Sequence, residues 1–162
     1  MKSIKTKWII IGIYIAMIYL SLPYMRSVLN YIQETIGQDT LRFIINGLLL
    51  GVTAVFLFLL RKKISSKSFL FSFVPILLIS IFVLPNILPE ERVHFIEYGL
   101  LAFLVFSATG RNIELTLFFV FTVGAVDEII QYFLPNRVGD LRDVAINAIG
   151  GALGLWLRKL LH

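Results

Sequence analysis

The chain has 162 residues, of which 58% are apolar and only 15% charged, and it contains no cysteine. Soluble domains average roughly 45–50% apolar and 25% charged residues, so an ordinary soluble core is excluded, and with no thiol so are disulfides and Cys-ligated zinc. The net charge of +5 is carried by basic residues in short flanks between apolar runs, which is the pattern of membrane-topology determinants and not of a nucleic-acid partner.

The basic start MKSIKTK runs into WIIIGIYIAMIYLSL. No small-residue cleavage motif follows, so the expectation is a retained first helix over about 8–22. Pro23 is expected to end it. Residues 24–36 then set Met25, Val28, Leu29, Ile32 and Ile36 on one helical face, as in an amphipathic segment lying in the membrane interface. Gly37 closes that segment and Asp39 or Thr40 caps the next helix. A second span is expected over 41–60, where Gly47 and Gly51 form a small-xxx-small pair suited to close helix contact. The basic run at 61–63 and SSKS lead to a third span over 69–84, which PNILPEER ends. The fourth span covers 93–109 and the turn TGRNIE follows it. The fifth covers 115–134, the turn PNRVGD follows, and the sixth covers 141–157. The expected fold is all-α, a single domain over 1–162 forming a polytopic transmembrane bundle of about six spans in the cell membrane.

Placing the N-terminus inside puts Lys2, Lys5, Lys7, Arg61, Lys62, Lys63, Lys67, Arg111, Arg158 and Lys159 on the cytoplasmic side, ten of the fifteen basic residues. Arg26, Arg42, Arg92, Arg137 and Arg142 remain outside, the sense of the positive-inside rule. Both termini are then cytoplasmic.

This topology gathers polar residues at one depth. His94 and Glu97 open the fourth span, and Asp127, Glu128 and Gln131 lie near the outer end of the fifth. Glu128 is six residues from that end, about 9 Å at 1.5 Å per residue. Asp140, Asp143 and Asn147 form one stripe at the start of the sixth, and Arg137 in the turn is positioned to reach several of the carboxylates bidentately. Ionisable groups inside membrane segments are functional-site candidates by default. Plainer roles compete: Asp140 as a helix cap, Asp127 facing headgroups, Asn147 in an interhelical hydrogen bond, and the His94–Glu97 pair exposed at the interface. Arg42 and Asn46 are weaker candidates for the same site. A carboxylate cluster with one histidine and one arginine fits general acid–base chemistry. It also fits a divalent-metal site or a pocket for a lipid headgroup, phosphate or sugar.

The segments HFIEYGLLAFLVF (94–106), DEIIQYFLPNR (127–137) and GDLRDVAINAIGGALG (139–154) resemble the VanZ-like membrane proteins. Glu128, Gln131, Arg137, Asp143, Asn147 and Gly150 stand at the positions of that pattern, with His94 upstream. The resemblance implies a polytopic protein of the bacterial cell envelope linked to teicoplanin tolerance, and it supplies no reaction.

Two functions are expected to compete. In the first, the protein acts on a lipid or lipid-linked envelope precursor at the outer leaflet. Glu128 is then the general base or a metal ligand, Asp143 its partner, Arg137 an anion anchor and His94 a proton carrier. Gln131, Asn147, Glu97, Asp140 and Asp127 serve as binding or structural groups. In the second, the same pocket binds a lipid or a lipoglycopeptide antibiotic without catalysis. A transporter fits less well, because no such polar groups fall in the inner leaflet.

Overall fold

The computed structural model describes residues 3–60, 91–135, 137 and 139–159. These residues form five helices and no strand: α1 (Ile4–Ile36), α2 (Gln38–Leu60), α3 (Val93–Ala108), α4 (Ile113–Phe133) and α5 (Leu141–Lys159). The expected third span at 69–84 lies outside the described residues.

α1 starts where the Ser3 hydroxyl accepts from the Thr6 N–H at 3.2 Å. It then continues through Pro23 for 33 residues, so the separate interfacial segment expected after Pro23 does not form. A proline inside a helix removes one hydrogen bond and crowds the carbonyl four residues back, but the ladder beyond it is uninterrupted. The chain leaves the helix only at Gly37. There φ is +83° and the N–H closes the last turn on the Gln33 carbonyl at 2.9 Å, a conformation that a Cβ disfavours. α2 begins directly after it, with Asp39 in its first turn, where a carboxylate favours the positive end of the helix dipole.

Among the described residues, α1 alone is long and apolar enough to cross a membrane by length and composition, and α3 is a shorter apolar helix. α2 to α5 still run where the apolar segments predict them. The turn between α3 and α4 is held by the Asn112 side chain, which accepts from the Leu115 N–H at 2.8 Å and so caps α4.

Helix directions follow from a few contacts. Lys7 Nζ donates to the Ser107 carbonyl at 2.7 Å and Tyr14 Oη to the Glu97 carbonyl at 3.1 Å, so α1 runs antiparallel to α3. Tyr19 Oη donates to the Val123 carbonyl at 2.9 Å and ties α1 to α4. α3 and α5 run parallel: Phe95 lies beside Gly150, Gly99 beside Gly154, and the Arg158 guanidinium sits 4.3 Å from the Phe103 ring centre.

Glycines set that last spacing. A Cβ on Gly154 would lie 2.1 Å from the Gly99 carbonyl oxygen, and one on Gly150 would lie 2.9 Å from Phe95 Cα. The two backbones therefore touch, as small residues permit in membrane bundles. On the adjacent face Gly151 receives Val120 of α4. Around this contact Tyr98, Leu101, Ala102, Val105, Val120, Leu155 and Ile11 form the buried core. Gly47 and Gly51 meet no described side chain or backbone, so the close contact expected of that pair is absent among the described residues.

Candidate functional site: a polar cleft at one end of the bundle

Because α3 and α5 are parallel and α4 is antiparallel to them, the start of α3, the end of α4 and the start of α5 lie together. α1 passes beside them near Leu22. The result is a cleft of about 260 Å³ lined by His94 and Glu97 from α3, Gln131 from α4, Arg137 from the following turn, and Asp140 and Asp143. These six are among the expected site residues, and the structure brings them to one cleft.

The other three expected residues lie elsewhere. Asp127 is fully buried and its Oδ2 accepts from Tyr98 Oη at 2.7 Å, so it does not face headgroups. Its helix is rotated to turn this residue into the core beside Tyr98. Asn147 is also fully buried, in the space left by Gly124 opposite Tyr98. Neither its Oδ1 nor its Nδ2 has a hydrogen-bond partner among the described residues, so the expected interhelical hydrogen bond is not made there.

Glu128 is 5% exposed and does not line the polar cleft. Its Oε1 accepts from Gln131 Nε2 at 3.0 Å and its Oε2 from the Asp140 N–H at 3.1 Å. Both oxygens thus hold the turn that leads into α5. The turn packs closely, since a Cβ on Gly139 would lie 2.4 Å from the Glu128 carbonyl oxygen. This geometry gives Glu128 a positioning task at the turn into α5. Glu128→Gln should therefore fold normally, because flipping the Gln131 amide restores a donor–acceptor match. Glu128→Ala should lose about 1–3 kcal/mol by leaving the Asp140 N–H unpaired. Thermal unfolding of both variants in detergent checks this, and equal stability would remove the positioning role.

Asp140 does cap α5, with its Oδ1 accepting from the Arg142 N–H at 2.9 Å. Arg142 reaches back to Glu91 at 2.9 Å and links the starts of α5 and α3. Arg137 makes none of the bidentate carboxylate bonds expected of it among the described residues. Its Nη2 instead donates to the Leu22 carbonyl at 3.4 Å. Burial and the nearby Arg26 charge lower its pKa, but a guanidinium remains charged at neutral pH. His94 Nδ1 lies 3.7 Å from Glu97 Oε2, within electrostatic reach but beyond a hydrogen bond. Arg42 pairs at 3.9 Å with Asp39, and the Asn46 amide accepts from Arg92; neither residue lines the cleft.

The α1 wall was not legible from sequence. Ile18, Ser21, Leu22, Met25, Arg26 and Leu29 complete the cleft, and Arg26 supplies a second cation. The only signal was the helical spacing of Leu22, Arg26 and Leu29, which does not say which neighbour they meet.

Among the described residues no three His, Asp or Glu side chains are grouped as a metal ion requires. The arrangement instead offers cations, carboxylates and one imidazole around a small volume, suited to binding a charged headgroup and to proton transfer within it.

No curated protein and no solved structure matches the chain. Residues 90–162 match the family model described as VanZ/LLP1, so this segment, which carries every cleft residue outside α1, is similar to the VanZ-like proteins.

Proposed function

We propose that the chain is a multi-pass membrane protein that binds a lipid, or a lipid-linked component of the cell envelope, by its headgroup in the cleft beside α1. The observation that carries this reading is the inverted distribution of polarity. Phe43, Leu50, Phe118, Phe133 and Leu141 are 68–86% exposed, whereas Asp127 and Asn147 are fully buried. Apolar surface left in water costs about 25 cal/mol per Å², and a bilayer removes that cost. Next to the cleft, an apolar groove between α4 and α5 is walled by Phe121, Ile129, Phe133, Leu141 and Val144 and shares Asp140 with it. A headgroup in the cleft thus has an adjoining surface suited to an acyl chain.

The volume favours a headgroup over a whole lipoglycopeptide, since pockets for drug-sized ligands span roughly 300–1,000 Å³. The link to teicoplanin tolerance is then an indirect one, through the envelope lipid. A catalytic reading is favoured by one observation, the His94–Glu97 pair at 3.7 Å inside the cleft. Comparing the lipids and envelope precursors of cells with and without the protein tests the proposal. Accumulation of one precursor supports turnover, redistribution without chemical change supports binding alone, and identical profiles refute both.

In the proposed orientation the cleft opens to the outer leaflet. Single cysteines replacing Arg111 and Pro135, exposed residues of two turns at opposite ends of the bundle, should differ in intact cells. An impermeant maleimide should label Pro135→Cys and spare Arg111→Cys. The reverse result would place the cleft at the cytoplasmic leaflet.

A further inference from the structure

The charges of the cleft wall narrow the class of headgroup. Arg26 of α1 and Arg137 of the turn form a cationic pole, close enough for their charges to repel. Glu97 of α3, Asp143 of α5, Asp140 and Glu91 line the same cleft, with Arg137 within electrostatic reach of Glu97 and Asp143 and with Glu91 paired to Arg142. A bare phosphate would meet these carboxylates, and a bare cation would meet the two guanidiniums. Either would be bound against like charges of the same wall. A ligand with both charges is matched to both kinds of group.

The uncharged lining gives a second constraint. No phenylalanine, tyrosine or tryptophan lines the cleft among the described residues. Quaternary ammonium groups such as choline are recognised by aromatic faces, whereas a primary ammonium donates three hydrogen bonds and is matched by carboxylates. His94 Nδ1 is buried without a hydrogen-bond partner among the described residues and adds a polar atom beside Glu97.

We propose that the cleft takes a headgroup carrying a phosphodiester and a primary ammonium a few bonds apart, as in phosphoethanolamine, with the phosphate at Arg137 and Arg26 and the ammonium at Asp143 and Glu97. This rests on the cleft being a headgroup site. It adds that the site selects a zwitterion over an anionic lipid and over choline.

The test uses the purified full-length protein in a neutral detergent, titrated with phosphatidylethanolamine, phosphatidylcholine and phosphatidylglycerol of equal chain length, and with soluble glycerophosphoethanolamine. Melting temperature is the readout. Phosphatidylethanolamine should stabilise saturably, at a concentration at least tenfold lower than the other two lipids need. Glycerophosphoethanolamine acting as strongly as the lipid would assign the same chemistry to a soluble ligand, and a much weaker effect would assign it to a membrane lipid. Asp143→Asn and Glu97→Gln should each shift preference toward phosphatidylglycerol, a gain that a misfolded variant cannot show, while Arg137→Ala should weaken every phosphate-bearing ligand. Phosphatidylglycerol or phosphatidylcholine binding as tightly as phosphatidylethanolamine overturns the zwitterion assignment and leaves a headgroup site standing. An unchanged preference in both carboxylate variants also overturns it. No response to any of the lipids overturns the headgroup site itself.

Discussion

Gly154→Val should abolish the folded bundle. A Cβ at this position would lie 2.1 Å from the Gly99 carbonyl oxygen and 2.5 Å from Gly99 Cα. The obstacle is backbone on both helices, so no side-chain rotation relieves it. Accommodating valine requires α3 and α5 to separate, which opens the core around Tyr98, Leu101 and Leu155 and pulls His94 and Asp143 apart at the cleft. Overpacking of a well-packed core costs about 1–3 kcal/mol and occasionally more; with backbone as the obstacle, about 3 kcal/mol or more is expected. The measurement is the yield of monodisperse protein and its melting temperature in detergent. Gly12→Ala is the control, because a Cβ there meets nothing within 4 Å among the described residues and alanine is the better helix former by about 1 kcal/mol. If Gly154→Val melts like the parent protein, the contact between α3 and α5 is wrong, and so is the cleft built on it.

Tyr98→Phe should give the second largest effect, although it removes one oxygen. Tyr98 Oη is the donor to Asp127 Oδ2 at 2.7 Å, and both residues are fully buried. The other carboxyl oxygen, Asp127 Oδ1, already has no partner among the described residues. Removing the hydroxyl leaves a buried carboxyl group without this bond, at a cost of about 1–3 kcal/mol. Asp127→Asn keeps an acceptor for the tyrosine and should stay close to the parent. The double variant Tyr98→Phe with Asp127→Leu removes both polar partners and should recover most of the loss from Tyr98→Phe alone. A double-mutant cycle on unfolding temperatures checks this. Additive effects would mean that the two side chains are not coupled.

The helical class, the approximate bounds of α2 to α5 and the gathering of polar residues at one end follow from sequence alone. Apolar runs of this length form helices, short turns between them force alternating directions, and alternation brings the start of one helix to the end of the next. His94, Gln131, Arg137 and Asp143 are placed near one another by that logic without any knowledge of packing. The roles within the cluster are another matter. Asp127 and Glu128 are adjacent in sequence, yet one is sealed against Tyr98 and the other clamps the Asp140 N–H. Helical spacing fixes their relative direction but not how far the helix is rotated about its axis. That rotation is set by the packing of α3, α4 and α5, with Gly99 and Gly154 fixing the spacing of α3 and α5. Pro23 likewise reads locally as a stop, but the surrounding ladder carries α1 past it to Gly37. This continuation places Met25, Arg26 and Leu29 along the cleft. The cleft's second cation thus comes from a residue more than sixty positions before His94. Only the tertiary structure decides that contact, because local sequence determines where a helix runs but not which distant helix lies against it.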